Sequence, residues 1–267
     1  MLGKLIKYEF KATGRLLLPV YGALLLMGGV VNLGLTLQGK LPVLKFAQGV
    51  LIFAYVALMV AAFALSFFVV ISRFYKNLIC DEGYLMFTLP VKAGTHLLAK
   101  TVVSTVWSVG TCLVAVGSLL LMGVGHGIIS KLPDALRMAD AAMKGELGMG
   151  MSELLLWTIF TVLVSLVVTN LMCYLSISIG QFGRGHRILT SVGAYLVLNV
   201  VIQSISTVAL LIACLFTGLD FFGDVPLGQM AGFLRMVFAL SIGLNVLFGG
   251  CFYVGSNFIL SRKLNLE

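Results

Sequence analysis

Charged residues fall along this chain in clumps. Between them lie six stretches without a single Asp, Glu, Lys or Arg: residues 16–37, 46–72, 101–130, 154–183, 188–218 and 236–260. Each exceeds the ~20 residues a helix needs to cross a bilayer. A charge at mid-membrane costs roughly 2.5–3.5 kcal/mol, so the clumps mark the ends of the spans. Lipid offers no water to an unpaired backbone group, so every span must be helical. Runs near thirty residues are expected to tilt or to continue as helix beyond the bilayer.

The segments between the runs carry their own patterns. In residues 1–15, Leu2, Leu5, Ile6 and Phe10 share one side of a helical wheel and Lys4, Lys7, Lys11 and Arg15 the other. Such a helix lies in the membrane interface, its cations toward anionic headgroups. Residues 131–153 open with a helix signal, Pro133 then Asp134, and Leu136, Ala139 and Met143 line one face. Residues 220–235 are short, apolar and broken by Gly and Pro, which suits a re-entrant or interfacial turn.

The densest segment is residues 73–100, RFYKNLICDEGYLMFTLPVKAGTHLLAK. Asp81 can accept from the free amides of a helix's first turn, and Glu82 suits the positive end of its dipole. Pro90 closes that helix by forcing Leu89 out of the α region. Two turns remain, with Tyr84, Phe87 and Thr88 on one face and Leu85 and Leu89 beside them. A helix this short cannot bury these groups by itself and needs a surface to press against.

Composition agrees with the pattern. The chain has 267 residues, 60% hydrophobic and only 10% charged, where soluble domains carry roughly a quarter. Its mean hydropathy is +1.09. The expected fold class is an all-α membrane protein, one transmembrane domain over residues 1–267 with six spans. An amphipathic interfacial helix precedes the spans, and a short cytoplasmic helix separates the second from the third. No repeat or soluble domain interrupts it.

Net charge is +8, and its placement sets the orientation. With the N-terminus inside, inner segments hold 12 of the 18 Lys and Arg and only four acids, leaving outer segments at zero net charge. Both termini are therefore expected in the cytoplasm, and residues 131–153 and 220–235 outside. Nucleic acid is not an expected partner, because no loop strings basic and aromatic residues together. Membrane lipid is.

Catalytic signals are sparse. Gly34–Leu41 nearly matches a phosphate-binding loop, but Leu41 replaces the Ser/Thr that would hold magnesium, and no strand precedes it. His96, His126 and His186 are far apart, and histidines at a membrane boundary are expected to be solvated. The five cysteines lack metal-ligand spacing and read as small hydrophobes. No enzyme activity is expected on this chain, and no metal. The spans lack the buried ionisable groups that proton- and ion-coupled carriers use. Ser191, Tyr195, Asn199 and Gln203 recur every four residues along the fifth span. They serve either as interhelical hydrogen-bond partners or as the polar lining of a substrate path, with Tyr195, Asn199 and Gln203 its candidate residues.

The motif R-F-Y-K-N-L followed by D-E-G-Y-L-M-F-T-L-P-V, from Arg73 to Val91, resembles the loop after the second span in ABC-2-type permeases of Gram-positive bacteria. These are membrane subunits of ATP-binding-cassette exporters. The resemblance implies a permease of the bacterial cytoplasmic membrane, paired with a second copy or a paralogous permease. It also implies cytoplasmic ATPase subunits that carry the ATP and magnesium, this chain holding no cofactor. By position, Asp81, Glu82, Tyr84, Leu85, Met86 and Phe87 would be the residues that dock on the ATPase. The alternative is a membrane anchor or sensor subunit that holds a cytoplasmic signalling partner without transport.

Overall fold

The computed structural model describes residues 2–38, 45–78, 93–125, 128–183, 186–217 and 227–262. Among them are seven helices: α1 (Leu2–Gln38), α2 (Lys45–Leu78), α3 (Ala93–Gly123), α4 (Ile128–Glu146), α5 (Met151–Gly180), α6 (Arg187–Thr217) and α7 (Leu227–Arg262). All except α4 are long and apolar enough to cross a membrane. This is an all-α, multi-pass membrane protein.

Helix ends depart from the uncharged runs where a charge finds a partner or a glycine breaks the chain. The apolar run 101–130 is not one helix. It holds most of α3, a turn in which Gly125 takes φ +81°, and the start of α4. α3 also begins eight residues before that run, at Ala93, and carries Lys100 into a buried position. Leu227–Arg235 is not a turn but the start of α7. Arg235 is tolerated there because Glu153 accepts from its Nε at 2.7 Å and its Nη2 at 3.0 Å. The amphipathic N-terminus runs without a break into the first span as α1.

The chain forms two compact units. The first comprises Met1–Arg73 and Val102–Leu136. In it α1 and α3 run parallel, in a register of 89–90 residues held from Tyr21–Thr111 (2.7 Å between hydroxyls) to Asn32, whose Nδ2 donates to the Leu121 carbonyl at 2.7 Å. α2 runs antiparallel to both. Its Ser66 accepts from the Thr111 hydroxyl at 3.0 Å, and Tyr55 pairs with Ser118 at 2.7 Å. Lipid supplies no hydrophobic drive between spans, so close backbone approach and such hydrogen bonds hold them. Gly28 shows the approach: a Cβ there would sit 2.9 Å from the Ser118 carbonyl oxygen. Between the hydrogen bonds, Leu17, Tyr21, Val69, Val103 and Trp107 make one buried cluster and Leu24, Val31, Tyr55 and Ala62 another.

The second unit comprises Phe74–Thr101 and Arg137–Glu267. α5 and α7 run parallel in near-constant register. Glu153 meets Arg235, Trp157 stacks on Phe238 at 6.0 Å, and Gly249 and Gly255 admit Val168 and Leu175. α6 returns antiparallel, and Gly180 lets it close on α5: a Cβ there would lie 2.9 Å from the Arg187 carbonyl oxygen. Residues 170–178 of α5 are buried without exception. In α6, Cys214 is the one buried residue among those described.

Candidate functional site

Asp81, Glu82, Tyr84, Leu85, Met86 and Phe87 lie outside the described residues, as does the helix expected over 81–89. The two stems of their loop are described, and both are tied down. On the entering side Phe74 is fully buried and stacks on Tyr174 of α5, ring centroids 4.1 Å apart and planes 12° from parallel. On the leaving side the Tyr174 hydroxyl donates to the Lys100 carbonyl at 3.5 Å. One side chain of α5 therefore touches the chain before the loop and after it.

α7 grips the leaving stem as well. The Tyr253 hydroxyl donates to the Gly94 carbonyl at 3.4 Å. Gly94 permits that approach, since a Cβ would sit 2.8 Å from the Tyr253 oxygen and 3.0 Å from Asn257 Oδ1 and one of them would have to shift. The stem itself is sequestered. His96, Leu97, Ala99, Lys100 and Thr101 are all buried. His96 was expected to be solvated, and it is only 2% exposed, because α3 starts early enough to carry it into the packed part of this unit.

The residue before Phe74 is fixed in the first unit. Arg73 donates from Nε (3.2 Å) and Nη2 (3.0 Å) to Oε2 of Glu9, which is 8% exposed. Phe10, next to Glu9, stacks on Trp107 at 4.8 Å. The opposite face of α1 matches the wheel drawn from the sequence, with Lys4, Lys7, Lys11 and Arg15 all exposed.

The polar stripe of α6 starts against its own chain, where Ser191 packs on Gly180, and becomes exposed toward Gln203. Tyr195 is half-buried and Asn199 and Gln203 are exposed. Asn199 Nδ2 donates only along its own helix among the described residues, to the Tyr195 carbonyl at 3.3 Å. Among the described residues, helix–helix hydrogen bonding therefore does not account for Asn199. Exposed amides on a span call for a protein or water neighbour, since hydrocarbon cannot satisfy them.

Sequence reasoning missed Glu9, Tyr174 and Tyr253. Glu9 had left a signal: it is a lone carboxylate on the apolar side of an amphipathic helix, where it demands a cation. Tyr174 left none, because a stretch such as 170–178, buried on every side, has no amphipathic pattern to read. Among the described residues no three His, Cys, Asp or Glu side chains gather as metal ligands, and Cys112, Cys173 and Cys251 are free thiols. No family profile, no curated protein and no solved structure matches this chain.

Proposed function

We propose that this chain is the permease subunit of an ABC exporter in a bacterial cytoplasmic membrane, driven by ATP hydrolysed on a separate cytoplasmic subunit. One observation carries the proposal. The loop that bears the D-E-G-Y-L-M-F sequence has both stems tied, through Tyr174 and Tyr253, to two membrane-spanning helices. A partner that moves the loop would pull on Phe74, Gly94 and Lys100 and so on α5 and α7. An anchor without transport has no need of such ties.

Energetics argue for a second contact with the partner. Fully burying Tyr84, Leu85, Met86 and Phe87 would yield on the order of 1.5–3 kcal/mol each. Association costs ~4–15 kcal/mol, so the loop helix alone would bind weakly. The basic first turns of α1, with Lys4, Lys7 and Lys11 exposed, are the second contact in this proposal. The exposed Asn199 and Gln203 would face a second permease copy across the substrate path.

Tagged chain, purified with the untagged products of neighbouring genes, should bring down an ATPase with a complete phosphate-binding loop. Reconstituted together in vesicles, the pair should hydrolyse ATP faster than the ATPase alone. Recovery of a signalling protein with no ATPase would favour the anchor instead.

A further inference from the structure

We infer that α4 is an interfacial helix whose apolar stripe sits in the headgroup–acyl boundary of the bilayer. The inference needs only the membrane fold and is independent of the permease proposal.

α4 has 19 residues, about 28 Å at 1.5 Å per residue, and joins two consecutive spans, so both its ends lie at one membrane surface. Its stripe is Leu132, Leu136, Ala139 and Met143, at helical spacing. Leu132 and Leu136 are 39% and 42% exposed, whereas Ala139 and Met143 are half-buried. Lys131, Asp134, Arg137 and Lys144 occupy the other side and are all exposed.

Two further observations place the helix. Asp140 ties α4 to the start of α5: its Oδ1 accepts from the Met151 amide at 2.7 Å while Lys144 Nζ donates to Oδ2 at 2.6 Å. α4 is therefore fastened to the first residue of a membrane span. Its charges also balance, with Lys131, Arg137 and Lys144 against Asp134, Asp140 and Glu146. A helix with this apolar stripe and no net charge fits lipid of any headgroup charge, unlike the cationic start of α1. A second copy is a poorer occupant. Two exposed leucines and two half-covered residues offer far less than the about 800 Å² per partner of a stable interface.

The test uses the full chain with Cys80, Cys112, Cys173, Cys214 and Cys251 replaced. Single spin labels go at Leu132→Cys, Leu136→Cys, Lys131→Cys and Arg137→Cys, in phosphatidylcholine vesicles with and without phosphatidylglycerol. The ratio of oxygen to nickel-chelate accessibility should be several-fold higher at 132 and 136 than at 131 and 137, in both lipids. Equal nickel access at all four positions would put the helix in water. Exclusion of both reagents from 132 and 136 would put protein over the stripe. Either result overturns the inference. Should the cysteine-free chain fail to fold, wild-type protein in diazirine-labelled phosphatidylcholine gives the same answer. Adducts should fall on Leu132 and Leu136, and their absence there would overturn the inference equally.

Discussion

Replacing Tyr174 tests whether one side chain holds the two stems of the loop between α2 and α3. Tyr174 is 1% exposed and its ring lies flat on Phe74 at 4.1 Å. Truncation to alanine leaves a void with Phe74 on one wall, and aromatic-to-alanine changes in cores cost about 3–5 kcal/mol. The ring pairing itself accounts for roughly 0.5–1.5 of that. Tyr174→Phe keeps the ring and loses only the hydroxyl, whose bond to the Lys100 carbonyl is long at 3.5 Å. Interhelical hydrogen bonds in membranes average about 0.6 kcal/mol, so this variant should lose less than ~1 kcal/mol. Unfolding by SDS titration in mild detergent measures both. With the proposed ATPase partner present, Tyr174→Phe should retain coupled hydrolysis and Tyr174→Ala should lose it while still binding. If the phenylalanine variant is as damaged as the alanine one, the hydroxyl rather than the ring is the tie. If the alanine variant loses less than about 1 kcal/mol, the stems are not held here.

Other consequences follow from particular contacts. The Asp140 carboxyl is held below its ordinary pKa of 3.8, first by the Lys144 hydrogen bond and then by the Met151 amide. Its stabilisation is present above 3.8 and is lost as pH falls through the lowered folded value. Asp140→Asn should therefore lower the thermal midpoint at neutral pH, and its gap from wild type should narrow in acid. Gly28→Ala should cost about 1–3 kcal/mol by overpacking against Ser118, whereas Gly29→Ala, with open space around it, should be near neutral in the same unfolding assay. Asn199→Leu or Gln203→Leu should change which substrates stimulate ATP hydrolysis in an assembled complex. A loss of thermal stability with an unchanged substrate profile would make the stripe structural.

Six spans were legible because a lone charge in lipid is so costly that sequence and structure must agree on where charges stop. α6, expected over 188–218, runs Arg187–Thr217. One disagreement arises where that cost is removed by a partner far off in sequence: Arg235 stays inside α7 because Glu153 meets it. Another is Lys100, which travels into α3 within a sequestered stem. Neither is visible in local spacing. The face of α4 was legible from Leu136, Ala139 and Met143, but its start was not, since an uncharged run hides the Gly125 turn. The loop between α2 and α3 was the most readable segment chemically, and the ties of its stems the least. A buried tyrosine in an evenly apolar helix looks like any other core residue. Glu9 was readable in principle, and the Lys-rich face beside it drew attention away.

The central claim is that residues 81–89 engage an ATPase and pass its motion to the spans. Photocrosslinking from position 84 or 87, in membranes containing the neighbouring ATPase, tests it most directly. Crosslinks should join this chain to the ATPase, and Tyr84→Ala with Phe87→Ala should uncouple hydrolysis from substrate while the complex survives. Crosslinks to lipid alone, with normal substrate-stimulated hydrolysis in the double variant, would contradict the account.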